Sequence, residues 1–393
     1  MIKKQLFISL FSLILMVPLW GMDPSKALQP LNRSISTPKS PEKSIRFTSN
    51  FNDNYPYLVN KAYQDENLQN YVMEKFVLSQ PKSIESMNAA VNRGANVYLT
   101  VGSHTQNPIG KSQTTTTKRD PNIHGKVLVG VDTSPSKQTP KKGILLLGSA
   151  NATNSTWQHK PGKAGQRFNF ESGIEIKGDM DIIPQAYTMI KNQSPMKPAT
   201  QKTTLLTTPT KISIYGSKDT NLNKSLARRF DNAAQNQGTV KLRTMTLNNR
   251  DVVNSLSKLG SKAEVIVDYS TLTAPNIPLL QQLHDSNVSV NIFKPQLGSR
   301  AKQHGKDVVI ESEGKKTYIS STANITEQGD TQRNYQLYIP NNEQVIADAK
   351  EDFEKVKKET ITLPEALKRK NEEIKQKATT KKTSLKKQKL IKQ

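Results

Sequence analysis

The sequence contains no cysteine, and aromatic residues make up only 6% of its 393 residues. The lack of cysteine excludes disulfide bonds, thiolate catalysis, zinc sites with cysteine ligands and attachment of a lipid to a cysteine. Acidic residues are also scarce: 33 aspartates and glutamates face 57 lysines and arginines, and the formal net charge is +24. This surplus favours a polyanionic partner, either nucleic acid or an anionic membrane surface, without distinguishing between them.

Long apolar runs are rare, and the longest, from Leu6 to Leu19, stands behind Lys3 and Lys4 near the N-terminus. It is short for a membrane-spanning helix and typical of the apolar region of a secretory signal peptide. We therefore expect residues 1–21 to be a signal peptide and the protein to be exported, periplasmic or secreted, with an uncleaved membrane anchor as the alternative. Residues 22–43 are rich in Ser, Pro and Lys and are predicted to be a flexible linker.

One short motif occurs twice in the same internal order. The first copy, His124-Gly-Lys126, is followed by Gly148-Ser-Ala-Asn151, and the second, His304-Gly-Lys306, by Ser321-Thr-Ala-Asn324. Because side chains alternate along a strand, the His and the Lys of each copy project from the same face. An ammonium group there can hold phosphate oxygens through charge-assisted hydrogen bonds. The duplication indicates two related halves that share one site.

A duplicated His-x-Lys motif followed by Gly-Ser-x-Asn resembles the phospholipase D superfamily, and the resemblance covers roughly Ser44 to Lys355. The family motif continues with four residues and then an aspartate. Here the first copy has Val131 at that place, with Asp132 one residue later, and the second copy has Glu311. A one-residue bulge would bring Asp132 to the usual position.

The resemblance implies one cleft that both copies of the motif face. Six side chains would be catalytic: His124, Lys126, Asn151, His304, Lys306 and Asn324. Five would support them: Asp132, Ser149, Glu171, Glu311 and Thr322. In the family an acidic residue after Gly-Ser-x-Asn supports the catalytic histidine; Glu171 matches that position, and Gln336 is its expected counterpart.

The chemistry that the resemblance implies is a two-step transfer through a phosphohistidine, with His124 as the nucleophile and His304 as the acid and base. No acidic cluster accompanies the motifs, so we expect neither a metal ion nor another cofactor.

Strands that alternate with helices predict an α/β fold with two sandwich halves, which the resemblance packs about a pseudo-twofold axis. The expected halves are residues 44–191 and 211–358, joined by a linker at 192–210 that is rich in Pro, Lys and Thr. Since both half-sites lie in one chain, we expect a monomer. Residues 359–393 form a Lys-rich tail, in which a helical segment is predicted after Pro364 and the Lys-rich end is expected to be disordered in isolation. The Thr- and Gln-rich stretch between Val101 and Ile123 is predicted to be an exposed loop.

Three functions fit these observations. The first is hydrolysis of phospholipid head-group esters by a phospholipase D-like phosphodiesterase, which export and a basic surface favour. The second is a non-specific endonuclease of the same superfamily, which the Lys-rich tail favours. The third is a catalytically inactive member that binds nucleic acid or membrane.

Overall fold

Two mixed β-sheets carry the two copies of the motif. The structure, a computed structural model, describes residues 43–49, 55–75, 78–102, 115–132, 142–151, 169–192, 199–205, 208–217, 220–294 and 301–391. The expected signal peptide and nearly all of the linker at 22–43 lie outside these ranges. None of the helices within the ranges combines the length and apolar character needed to cross a bilayer.

The first sheet has seven strands. The strands of the first half are β1 Ser44–Ser49, β2 Asn70–Lys75, β3 Asn96–Val101, β4 Thr115–Arg119, β5 Lys126–Val131, β6 Gly143–Gly148, β7 Asn169–Phe170 and β8 Ser172–Gly178. All except β7 form one sheet in the order β1-β8-β6-β5-β2-β3-β4. Strands β2, β3 and β4 are parallel neighbours, and the other pairs are antiparallel.

The second sheet repeats this plan. Its half contributes β9 Ala199–Leu205, β10 Thr208–Gly216, β11 Thr239–Arg243, β12 Ala263–Asp268, β13 Ser289–Phe293, β14 Lys302–Gln303, β15 Asp307–Ser312, β16 Lys315–Ser321, β17 Tyr335–Pro340 and β18 Thr360–Thr362. The sheet order is β18-β13-β12-β11-β15-β16-β17-β10-β9. The series from β13 to β10 matches β4 to β1 of the first sheet, with the same parallel and antiparallel pairs. The predicted α/β fold of two related halves is confirmed.

Helices cover both sheets and the space between them. They are α1 Tyr55–Gln64, α2 Pro81–Asn92, α3 Ile182–Asn192, α4 Leu222–Gln235, α5 Arg250–Ser257, α6 Ile277–Asp285, α7 Glu327–Thr331, α8 Glu343–Lys357 and α9 Leu363–Ile391. Helices α1 and α2 share a core with the first sheet, and α4, α5 and α6 share one with the second. A third core contains residues of both sheets together with α3 and α8. Burial of these apolar faces therefore joins the two halves.

Two predicted irregular segments contain strands. Thr115–Arg119, within the predicted loop between Val101 and Ile123, is β4 and pairs in parallel with β3. The prediction was wrong because threonine favours extended structure and β3 offers an open sheet edge. Likewise, the predicted linker at 192–210 contains β9, which pairs with β10 and extends the second sheet.

The helix in the Lys-rich tail is longer than expected. The tail contains β18 and the 29-residue helix α9. Leu363 and Ala366 at the start of α9 are buried against the body, whereas the side chains at 374–380 are all exposed. Lys, Gln, Glu and Ala are good helix formers, and an anchored first turn removes the cost of nucleation. Composition alone predicted too little order here.

Candidate active site

The first motif histidine is fixed by a residue of the other half. His124 directly precedes Gly125 and β5, and its backbone N–H donates to the carbonyl of Arg333 at 3.0 Å. Its Nδ1 lies 3.0 Å from Oδ1 of Asn334, whose Nδ2 donates to the carbonyl of Gly329 at 2.9 Å. The bond to Gly329 orients the amide, so that Oδ1 accepts a hydrogen bond from Nδ1 of His124. Nε2 of the uncharged ring is then unprotonated and lies beside Nζ of Lys126.

The second histidine has a carboxylate partner. The backbone N–H of His304 donates to the carbonyl of Phe170 at 2.9 Å. Its Nδ1 lies 2.8 Å and 2.9 Å from the two carboxylate oxygens of Glu171. The hydroxyl of Ser149 donates to Glu171 at 2.6 Å. Glu171 therefore holds His304 in the same tautomer, with Nε2 unprotonated.

The two halves exchange these partners. His304 belongs to the second half and is held by Glu171 of the first, whereas His124 belongs to the first half and is held by Asn334 of the second. Each imidazole thus depends on the docking of both halves, as expected for two half-sites that make one active site.

Asn334, and not Gln336, is the counterpart of Glu171. The evidence is a matching pair of hydrogen bonds at 2.9 Å, each from the next backbone N–H to a hydroxyl: Ser172 to Ser149 and Tyr335 to Thr322. Gln336 lies within β17 and accepts from Tyr338 instead. The expected equivalence of Gln336 with Glu171 was wrong because fewer residues connect Thr322 to Asn334 in the second half than connect Ser149 to Glu171 in the first.

Both motif lysines are buried beside their histidines. Nζ of Lys126 donates to the carbonyl of His124 at 2.7 Å and lies 3.2 Å and 3.3 Å from its two ring nitrogens. Nζ of Lys306 donates to the carbonyl of His304 at 2.6 Å. Side-chain direction therefore follows the alternation expected from the sequence, and both ammonium groups lie beside their imidazoles.

Electrostatic effects join the two half-sites. Burial, followed by the charges of Lys126 and Lys306, holds the pKa of His124 well below its usual 6.5, and the bond to Asn334 opposes this only in part. The charge of His304 also lowers it. Burial lowers the pKa of Lys306 to about 8. The effect of one charge on the pKa of another group weakens with distance. The motif residues of both halves therefore form one charge cluster.

Glu171 is the negative member of this cluster. Its burial raises the pKa of the carboxyl, but the charge and hydrogen bond of His304, the ammonium of Lys306 and the hydroxyl of Ser149 outweigh burial and lower the pKa to about 2. Burial also lowers the pKa of His304, and Glu171 opposes that change. At neutral pH, Glu171 is therefore ionised and accepts a hydrogen bond from Nδ1–H of an uncharged His304.

A third buried lysine was missed by the sequence analysis. Lys75 ends β2, stands opposite Lys126 in the strand register, and donates to the carbonyl of Ala150 at 3.2 Å. Burial lowers the pKa of Lys126 well below its usual value, and the charges of Lys306 and Lys75 lower it further. The available signal was a lysine at the end of an otherwise buried strand. Three ammonium groups around the single carboxylate of Glu171 give a positive surplus that favours an anionic ligand.

A buried ion network supports the segment that carries Asn334. Nη1 of Arg333 donates to Glu74 at 3.1 Å, and Nη2 lies 3.0 Å from Asp120. The hydroxyl of Tyr335 donates to the other Glu74 oxygen at 2.8 Å. Burial raises the pKa of Glu74 to about 7, against the opposing effect of Arg333. The network ties the second half to β2 of the first.

The glycine between His and Lys is required in both copies. A Cβ at Gly125 would lie 2.9 Å from a carboxylate oxygen of Glu74, and one at Gly305 would lie 2.8 Å from Nε of Arg243. At both glycines, protein side chains therefore fill the space that a Cβ would take. The lack of a Cβ does not serve a ligand alone.

Asp132 and Glu311 lie away from the site, contrary to expectation. Strand β5 pairs residue for residue with its neighbours up to Val131, so no bulge moves Asp132. Glu311 is paired with Lys350 at 3.2 Å. Each acidic residue is separated from its motif lysine by five or six strand residues, or about 16–20 Å at 3.3 Å per residue. Regular pairing leaves no way to shorten that separation.

The remaining motif residues flank a cleft. Asn324 and His124 line a cavity of about 820 Å³, together with residues after β11, around the start of α6 and around α7. Asn151, the counterpart of Asn324, is half-buried after β6. Within the described ranges, no group of three or more metal-binding side chains comes together.

Comparison with known proteins identifies the fold. No protein-family model and no curated protein sequence matches the chain. Among solved structures, it is similar to phosphatidylserine synthase from Haemophilus influenzae Rd KW20, with a TM-score of 0.56 and 10% identity over 81% of this chain and 87% of that one.

A second similar structure is polyphosphate kinase from Porphyromonas gingivalis, with a TM-score of 0.53 and 14% identity over 78% of this chain. The match covers 49% of that chain, so this protein spans about half the length of the kinase. Identities this low show the fold alone, and both structures are of the phospholipase D superfamily. The fold of this chain is therefore that of the phospholipase D superfamily.

Proposed function

We propose that this protein is a metal-independent phosphodiesterase that hydrolyses phospholipid head-group esters through a phosphohistidine. The observation that carries the proposal is the exchanged pairing of His124 with Asn334 and of His304 with Glu171. It holds two imidazoles by their Nδ1 atoms in one buried, positively charged cluster. A double displacement at phosphorus needs such a pair, one to attack and one to transfer protons.

The hydrogen-bond partners of the two histidines decide which one attacks phosphorus and which one transfers protons. Nε2 of His304 is the nucleophile, because the carboxylate of Glu171 stabilises the positive charge that develops on the ring during attack. His124 has a neutral amide partner and two nearby ammonium groups, which make its protonated form the stronger acid. This geometry favours the reverse of the assignment suggested by family analogy.

The proposed reaction has two steps. His304 forms a bond to phosphorus, the bond from phosphorus to the head-group oxygen breaks, and protonated His124 supplies the proton to that oxygen. Water then attacks the phosphatidyl-histidine while His124 takes its proton. Phosphatidic acid leaves, and both imidazoles return to their starting states. Lys126 and Lys306 hold the non-bridging oxygens.

Two considerations support a lipid substrate. One similar structure, matched over 87% of its own length, is named as a phosphatidylserine synthase. The chain is also strongly basic, which favours binding to an anionic bilayer surface. An exported enzyme would meet such surfaces.

A nuclease is the second candidate, and helix α9 favours it. The described side chains of α9 from 374 to 380 are exposed on all sides, and the sequence from Lys375 to Ile391 contains seven lysines and no acidic residue. A solvated basic helix can follow a phosphate backbone. An inactive member that only binds such polymers is the third candidate.

One assay separates these candidates. The protein, in buffer containing EDTA, is incubated with phospholipid vesicles and, separately, with plasmid and single-stranded DNA. We expect head-group release and a loss of at least about 10³-fold in kcat for both His124→Ala and His304→Ala. His284→Ala, an exposed histidine of α6, is the matched control and should retain activity. DNA cleavage without head-group release would favour the nuclease, and binding without turnover the inactive member.

A further inference from the structure

The cleft at His124 lies on the side of the site where the proposed leaving group departs. Its walls are built by segments that follow the carboxyl ends of the parallel strands β11 and β12, together with the turn around α7. Ligand sites of α/β sheets lie at such ends. Since His124 protonates the leaving oxygen in the proposed reaction, whatever occupies this cleft is the group that leaves.

Two amide oxygens in the cleft wall lack a donor. Oδ1 of Asn248 and Oδ1 of Asn324 are buried and accept no hydrogen bond from any described residue. Both residues line the cleft. Their backbones are held side by side, because the N–H of Asn248 donates to the carbonyl of Ile325 at 2.9 Å and Leu247 forms a β-bridge with Ile325. A buried acceptor without a donor is costly, so the cleft favours a ligand that brings donors.

The other walls limit the ligand further. Pro275, Pro278 and Leu279 provide an apolar side, and Glu327 and Arg250 provide one charge of each sign. None of the described lining residues is aromatic, so the cleft offers no aromatic cage of the kind that holds a quaternary ammonium. The volume of about 820 Å³ is large enough for a small polar head group.

We propose that this cleft is a head-group subsite that selects a head group with its own hydrogen-bond donors over a methylated one. Asn248 and Asn324 accept from the N–H groups of a primary ammonium or from hydroxyls. The trimethylammonium of choline has no donor and leaves both oxygens unpaired. The inference rests on the proposed function, because it assigns the group that His124 protonates.

Phosphatidylethanolamine and phosphatidylcholine provide the test, because they differ only in methylation of the head-group nitrogen. Each is presented in vesicles with the same fraction of phosphatidic acid, which keeps the surface anionic in both. Release of ethanolamine or choline is followed in EDTA. Two hydrogen bonds to a charged donor predict a kcat/KM about 10- to 100-fold higher for phosphatidylethanolamine.

Variants of Asn248 locate the selectivity. Asn248→Ala should reduce the ratio of the two kcat/KM values to within about threefold of unity, because it removes an acceptor. Asn248→Asp retains acceptors at the same place and should keep the preference. Asn232→Ala, an exposed asparagine on α4 that does not line the cleft, is the matched control. Thermal unfolding by circular dichroism verifies that each variant is folded.

A binding experiment separates this inference from the proposed function. Calorimetry with His304→Ala compares glycerophosphoethanolamine with glycerophosphocholine, and we expect about tenfold tighter binding of the former, lost when Asn248→Ala is added. Selective binding without turnover by the wild type would support the subsite and contradict the hydrolase. Turnover of both lipids at similar rates, or a preference that survives Asn248→Ala, would overturn the subsite. Cleavage of DNA with no binding of either glycerophosphodiester would overturn both.

Discussion

At the scale of single residues, the contrast between a carboxylate and an amide partner distinguishes the two histidines. Both imidazoles donate Nδ1–H to an oxygen, His124 to Asn334 and His304 to Glu171. Only the carboxylate of Glu171 can stabilise a ring that becomes positively charged, and its low pKa keeps it ionised. In the proposed mechanism, the division of labour therefore rests on one difference between the related halves, Glu in the first and Asn in the second.

Glu171→Gln tests this division. The amide keeps a hydrogen-bond acceptor for Nδ1 of His304 but removes the negative charge, so we expect kcat to fall by about 10²- to 10⁴-fold with a much smaller change in KM. Glu175→Gln is the control, because Glu175 is a buried glutamate on β8, four residues from Glu171, and is paired with Arg46 at 2.6 Å. Steady-state kinetics on vesicles measures both. Equal losses in the two variants would contradict a specific role for Glu171.

The pH dependence of kcat/KM follows from the two lowered pKa values. His304 must be uncharged to attack, so activity falls as the pH drops through its pKa, which burial places below 6.5. His124 must be protonated to donate, so activity falls as the pH rises through its pKa, which lies well below 6.5. Both limbs lie on the acid side, and a bell-shaped profile should have its maximum below pH 6.5. A maximum above pH 7 would be inconsistent with these assignments.

At the scale of elements, a buried ion triad joins a helix to the second sheet. Arg243 at the end of β11 donates to both oxygens of Asp307 at 2.8 Å and 2.9 Å and to Asp352 of α8 at 2.6 Å. All three side chains are buried. Burial raises the pKa of Asp352, and the charge of Arg243 opposes this.

Arg243→Ala should therefore destabilise the protein strongly. It leaves two buried carboxyl groups without their cation, and we expect the free energy of unfolding to fall by about 3–5 kcal/mol. Arg369→Ala removes an exposed pair with Glu365 on α9 and should cost no more than about 0.5 kcal/mol. Urea unfolding followed by circular dichroism gives both values. A similar small loss in the two variants would show that the triad contributes little.

Elements differed in how well the sequence predicted them. Helix α5 at Arg250–Ser257 and strand β12 at Ala263–Asp268 lie where periodicity placed them. Helix α3 was missed although its buried residues recur at helical spacing, a signal that the sequence offered. Helix α9 begins where a helical segment was predicted, after Pro364, but it runs further than predicted, because few apolar residues are needed once its first turn is anchored.

At the scale of the whole molecule, the duplicated motif predicted the two-sheet plan correctly, but not the partners exchanged between halves. Asn334 could not be found by spacing, because 22 residues separate Ser149 from Glu171 and 12 separate Thr322 from Asn334. The number of residues in a loop can differ between the two halves, whereas the register of their paired strands cannot. The ion network around Glu74 and Arg333 escaped notice because its members are 259 residues apart.

Direct detection of the covalent intermediate tests the central claim that two imidazoles from different halves act on one phosphorus. Protein mixed with short-chain phospholipid is quenched in base, where phosphohistidine survives, and digested for tandem mass spectrometry. We predict a phosphatidyl group on His304, absent in His304→Ala and more abundant in His124→Ala when the lipid carries a good leaving group that needs no proton. An adduct on His124 would reverse the roles, and turnover without an adduct on either histidine would contradict the mechanism.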